Sequence, residues 1–66
     1  MKIVINGEEK DFTEGTTLLE LLKELSLEGK VMAAAINMDI VKQDSWSTCK
    51  LSDGDKLELL DFVGGG

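Results

Sequence analysis

No histidine occurs anywhere in the 66 residues, and neither arginine nor proline is present. Without histidine there is no side chain of the usual kind to act as a general base near neutral pH. There is also no Ser–His or Cys–His nucleophile pair and no imidazole ligand for a metal. The single cysteine, Cys49, excludes an intrachain disulfide framework and makes a reducing cytoplasm the natural compartment. No stretch approaches the roughly 20 apolar residues of a membrane span, and the apolar run at residues 1–6 is too short for a signal peptide. Positive charge is scarce: seven lysines stand against 13 aspartates and glutamates, for a net charge of −6. Nucleic acid is therefore not an expected partner, because phosphate neutralisation requires a basic face. The acidic balance serves solubility and can steer the chain to a basic partner. With proline absent and glycine confined to a few turns and the end, no linker divides the chain, and its length suits one domain with a modest core.

What is present reads as an α+β pattern. Residues 1–6 alternate, with Ile3 and Ile5 on one face, as a strand does. Asn6-Gly7 is a hairpin signal, since both residues accept positive φ, and residues 9–12 return as a shorter strand. Thr17 and Glu20 have capping-box spacing, in which each side chain satisfies an orphaned N–H at a helix start. Leu18, Leu21, Leu22 and Leu25 then recur at i, i+3, i+4 and i+7, the core-facing stripe of an amphipathic helix. Residues 31–36 are continuously apolar. Their alanines favour helix in isolation, but the run is short and bounded by Lys30 and Asn37, so it reads as a central strand. Small alanines there would let the helix lie close over the sheet. Ile40-Val41 reads as a short strand, residues 44–47 as a loop or a single helical turn, Asp53-Gly54-Asp55 as a turn, and residues 56–63 as the last strand. One amphipathic helix calls for one sheet face to cover.

The last strand and the residues after it hold the candidate functional groups. With period two, Leu57 and Leu59 share a face and Leu60 and Phe62 share the other. If Leu57 and Leu59 face the helix, Leu60 and Phe62 form an apolar pair suited to docking a partner. The alternative is that a twist or bulge folds Phe62 into the core. Beyond them stand Gly64-Gly65-Gly66. Glycine packs nothing and orders poorly, so such a run does not serve stability. Extended, it reaches roughly 10 Å, and a strip without side chains that ends in a carboxylate can thread a channel closed to bulkier residues. Either that carboxylate is the working group, or the run is a frayed terminus or an expression scar. Other candidates are weaker. Lys50 beside Cys49 can lower a thiol pKa, but one neighbour is slight grounds, and Cys49 is expected to be dispensable. Trp46 suits either a partner anchor or a core and loop-pinning role. Asp53, Asp55 and Glu58 would hold a cation or simply be solvated. Met1, Met32 and Met38 are assigned to the terminus and to packing rather than to a sulfur-ligand site.

Taken together, these pieces resemble the ThiS-type sulfur carriers of thiamine biosynthesis, within the β-grasp, ubiquitin-like superfamily. The resemblance spans the chain. Its residues are Ile5-Asn6-Gly7, Thr17-Leu18-Leu19-Glu20-Leu21-Leu22, Ala35-Ile36-Asn37, Ile40-Val41, Trp46, Asp53-Gly54-Asp55 and Phe62-Val63-Gly64-Gly65-Gly66. It implies a mixed sheet of four to five strands covered by one main helix, with residues 1–66 as a single carrier domain and 64–66 as its exposed, flexible tail. It also implies a protein cosubstrate rather than an enzyme, cytoplasmic, monomeric when free, with no bound cofactor, no metal and no membrane. A terminal carboxylate, with a pKa of about 3.3–3.7, is ionised and a poor electrophile, so it needs activation. In the resemblance a ThiF-like partner adenylates the Gly66 carboxylate with ATP and magnesium. A persulfide sulfur donor then displaces AMP to leave a thiocarboxylate, and a ThiG-like thiazole synthase takes the sulfur. Gly64 and Gly65 pass through the partner's channel, and Leu60 and Phe62 dock it. The small subunit of molybdopterin synthase shares the fold and the terminal Gly-Gly but is typically longer. A ubiquitin-like modifier would couple the same activated glycine to a lysine amine, and an interaction module with an inert tail is the remaining alternative.

Overall fold

The alternating and periodic patterns become six elements and one short turn of helix in the computed structural model, which describes residues 1–61. They run β1 (Lys2–Ile5), β2 (Glu8–Asp11), α1 (Leu18–Glu24), β3 (Val31–Ile36), β4 (Asp39–Val41), a 3₁₀ turn at Gln43–Ser45, and β5 (Lys56–Asp61). The five strands form one sheet in the order β2-β1-β5-β3-β4. β1 pairs antiparallel with β2 and parallel with β5, while β3 pairs antiparallel with both β4 and β5. The sheet is therefore mixed, and α1 covers one face of it: the β-grasp arrangement. β5, the last strand in sequence, occupies the middle. β3 is an interior strand but not the central one.

The core lies between α1 and the sheet. Ile3 and Ile5 of β1, Leu18, Leu21 and Leu22 of α1, Val31 and Ala34 of β3, and Leu57 and Leu59 of β5 are all buried. Trp46 and Leu51 close it from the β4–β5 connection. Leu25, the fourth member of the helix stripe, is only half-buried, at the edge of this cluster. Burying an aliphatic side chain of this size stabilises by about 1.5–3 kcal/mol, which makes this face the main source of fold energy.

Caps and turns fix the ends of the elements. Thr17 and Glu20 form the capping box: the Glu20 N–H donates to Thr17 Oγ1 at 3.2 Å, and the Thr17 N–H donates to Glu20 Oε1 at 2.9 Å. At the other end Ser26 turns left-handed, with φ 58°. Its N–H donates to the Lys23 carbonyl at 3.0 Å and that of Leu27 to the Leu22 carbonyl at 2.8 Å, a Schellman closure with serine where glycine is usual. Both hairpins turn through two residues of positive φ, the pattern that matches strand twist. The first uses Asn6 (48°) and Gly7 (89°), the second Asn37 (50°) and Met38 (74°).

One irregularity changes the faces of β3. Its register against β5 shifts between Val31, opposite Asp61, and Ala33, opposite Leu60. This bulge interrupts the period of two, so Val31 and Ala34 are both buried while Met32 is turned out. Of the three alanines only Ala34 lies under the helix. Ala33 and Ala35 line the opposite face, so the close packing expected of small alanines falls to Ala34 alone.

Candidate functional site

The sheet face away from α1 carries the candidate site. Alternation places Leu60 there, with 64% of its surface exposed, next to the buried Leu59 on the strand it sits on. Register places Ala33 opposite Leu60 and Ala35 opposite both Glu58 and Ile40. Ile40 is 73% exposed and Met38, at the hairpin tip, 88%. The small alanines between Leu60 and Ile40 leave a shallow concavity of about 280 Å³, lined by Asn6, Ala33, Ala35, Ile40, Glu58 and Leu60. Towards β1 and β2 the same face becomes charged. Val4 lies opposite Glu9 and Lys2 opposite Asp11, and Lys2 Nζ stands 3.7 Å from carboxylate oxygens of both Glu9 and Asp11. These exposed pairs add about 0–1 kcal/mol each, but they bound the apolar patch on one side.

β5 carries this patch to the last described residue. Leu60, expected to dock a partner, is on the open face, as its position in the strand predicts. Phe62, Gly64, Gly65 and Gly66 lie outside the described residues. The other side-chain candidates have structural positions. Trp46 is in the core, and its Nε1–H donates to the Val41 carbonyl at 2.8 Å, tying β4 to the following turn. Asp53 Oδ1 accepts the Lys2 N–H at 2.6 Å, while Asp55 accepts from Asn37 Nδ2 at 3.0 Å and from the Ser52 N–H at 2.8 Å. These carboxylates organise the turn before β5. Among the described residues no group of three His, Cys, Asp or Glu could hold a metal ion. Cys49 is half-buried, and its carbonyl accepts the Leu18 N–H at 2.8 Å, which ties it to the helix start. Met1 packs against the core, whereas Met32 and Met38 do not, which corrects their assignment to packing. The bulge turns Met32 outward, and the left-handed turn places Met38 at the tip.

Two features of the site were not anticipated from the sequence. Asn6, read as a turn former, reaches back to β5: its Oδ1 accepts the Leu59 N–H at 2.9 Å and its Nδ2 donates to the Leu59 carbonyl at 3.4 Å. Asn37 does the same at the opposite hairpin, its Oδ1 accepting the Lys56 N–H at 3.0 Å. The available signal was the repetition of asparagine at the first position of both turns.

A mixed five-stranded sheet grasping one helix, with an apolar open face on the strand that precedes Gly64-Gly65-Gly66, defines a small β-grasp protein. A sequence model of the ThiS family matches residues 3–66, and the chain belongs to that family. The thiazole synthase of Paramagnetospirillum magneticum is 44% identical over 66 residues, all of this chain but 20% of that protein. The chain thus spans about a fifth of the length of the thiazole synthases it matches. The sulfur carrier protein ThiS of Escherichia coli K12 is 33% identical over 66 residues, with both chains covered completely. The crystal structure of the thiamine biosynthesis protein ThiS from Geobacter metallireducens superposes with a TM-score of 0.82 at 27% identity, again over all of both chains. Among the described residues no helix is long and apolar enough to cross a membrane.

Proposed function

We propose that this chain is a sulfur carrier of thiamine biosynthesis, a protein cosubstrate whose working group is the Gly66 carboxylate. The observation that carries this reading is the family match through residue 66, which includes the glycine run. The described fold supplies the rest: a core that anchors β5 through Leu57 and Leu59, and an apolar patch around Leu60 on that same strand.

The chemistry starts from the carboxylate. A carboxylate oxygen attacks the α-phosphate of magnesium-bound ATP on an adenylating enzyme, and pyrophosphate leaves. A persulfide sulfur then attacks the acyl carbon, the bond to AMP breaks, and a reductant cleaves the resulting acyl disulfide to leave the thiocarboxylate. Both steps take place in a partner's active site, so Gly64 and Gly65 serve by having no side chain to obstruct the channel. Leu60, with Phe62 beyond it, docks the partner. Thiazole synthase is the proposed sulfur acceptor, supported by the thiazole synthases among the relatives.

Intact mass spectrometry tests the proposal. After incubation with the adenylating enzyme, ATP, magnesium, a persulfide donor and reductant, the chain should exchange one oxygen for one sulfur. Deleting Gly66, or appending one residue after it, should abolish the change while the fold persists. A chain that gains no sulfur, or that becomes joined to lysine amines instead, would overturn it.

A further inference from the structure

We propose that Asn6 is a positioning residue: its carboxamide stands in for a missing strand beside β5 and sets the line along which the chain leaves the sheet towards Gly66. This role rests on the sulfur-carrier reading. β1 pairs with β5 in parallel, Val4 with Lys56 and Ile5 with Leu57, and then ends. In a parallel ladder, a residue that gives its N–H to one carbonyl offers its own carbonyl to the N–H two positions further along the neighbour. The Asn6 N–H donates to the Leu57 carbonyl at 2.9 Å, so a continued strand would present the Asn6 carbonyl to Leu59. At φ 48° the backbone turns into the hairpin instead.

The side chain supplies what the backbone withdraws. Asn6 Oδ1 accepts the Leu59 N–H at 2.9 Å, and Nδ2 donates to the Leu59 carbonyl at 3.4 Å. One carboxamide thereby replaces the carbonyl of residue 6 and the amide of residue 8 that a longer β1 would have offered. Asparagine suits both demands, because it tolerates the left-handed conformation and carries an acceptor and a donor on one short, planar group. The added rung falls on Leu59, between the core and Leu60 of the docking patch. Holding β5 at that point matters because a misplacement of about 1 Å at a reacting group can lower a rate by roughly 10²-fold.

The test varies the whole carrier as substrate in ATP–pyrophosphate exchange by its adenylating enzyme, alongside amide hydrogen exchange at Leu59. Asn6→Gly keeps the positive φ and removes only the carboxamide. It should speed Leu59 exchange by about tenfold or more and lower kcat by about tenfold or more, whatever KM change follows from the place of Asn6 in the lining of the concavity. Asn6→Asp keeps the acceptor for the Leu59 N–H but sets a carboxylate oxygen against the Leu59 carbonyl, and should fall between Asn6→Gly and wild type. A folded Asn6→Gly carrier with wild-type kcat, or with its loss entirely in KM, would overturn the role. If Asn6→Gly does not fold, a wild-type kcat for Asn6→Asp overturns it equally. Absence of exchange with the wild-type carrier would instead refute the sulfur-carrier reading, and this role with it.

Discussion

Trp46 illustrates how one residue's chemistry admits two roles until its partners are known. An exposed tryptophan would be a partner anchor; here the indole is buried and its N–H is bonded to the end of β4. Trp46→Phe would keep most of the apolar bulk but leave the Val41 carbonyl without that donor. Loss of one part-buried hydrogen bond costs about 0.5–1.5 kcal/mol, so urea unfolding should report a loss in that range. Cys49 has the opposite outlook: Cys49→Ser should lower stability only moderately and leave sulfur uptake intact by mass spectrometry. A folded Cys49→Ser chain that failed to load would place sulfur chemistry on this thiol. The helix stripe and the faces of Leu57, Leu59 and Leu60 were legible because burial tracks periodicity. The Asn6 and Asn37 side-chain bonds were not, since each joins residues far apart in sequence and nothing local announces that a turn former will also serve as a rung.

Two elements carry a non-glycine residue where their geometry favours glycine. Ser26 closes α1 at φ 58° and Met38 closes the β3–β4 hairpin at φ 74°. Left-handed backbone costs an ordinary residue about 1–2 kcal/mol. Introducing glycine removes that cost, and the greater freedom of glycine in the unfolded chain offsets part of the gain. Ser26→Gly and Met38→Gly should therefore each raise stability, by roughly 0.5–1 kcal/mol in chemical denaturation. Unchanged or lower stability in either variant would show that the side chain makes a compensating contact. The type of each element was legible from capping-box spacing, the Asn-Gly pair and the short apolar run of residues 31–36. The bulge in β3 was not: it depends on how β3 registers against β5, and without it Val31 and Ala33 would share a face. The same irregularity explains why Ala34, rather than Ala33 and Ala35, shares the helix side with Val31.

For the whole molecule, the division of the open face into an ion-paired half and an apolar half predicts where partners bind. Leu60→Asp and Ile40→Asp replace side chains that are already exposed, so melting temperatures should stay close to wild type. Affinity for the adenylating enzyme should fall by more than about tenfold, a loss of about 1.4 kcal/mol or greater. Calorimetry that found unchanged affinity for both variants would move the docking surface elsewhere. The strand order has a different consequence, for synthesis rather than recognition. Because β5 lies between β1 and β3, the two halves of the sheet meet only through the segment made last of those described. A nascent chain released before that strand would expose the inner edges of two separate hairpins and leave Ile5 and Ala34 without their partners Leu57 and Leu59. Such fragments would be targets for proteolysis rather than folded decoys competing for a partner. The topology thus ties the ability to fold to possession of the strand that leads into the glycines.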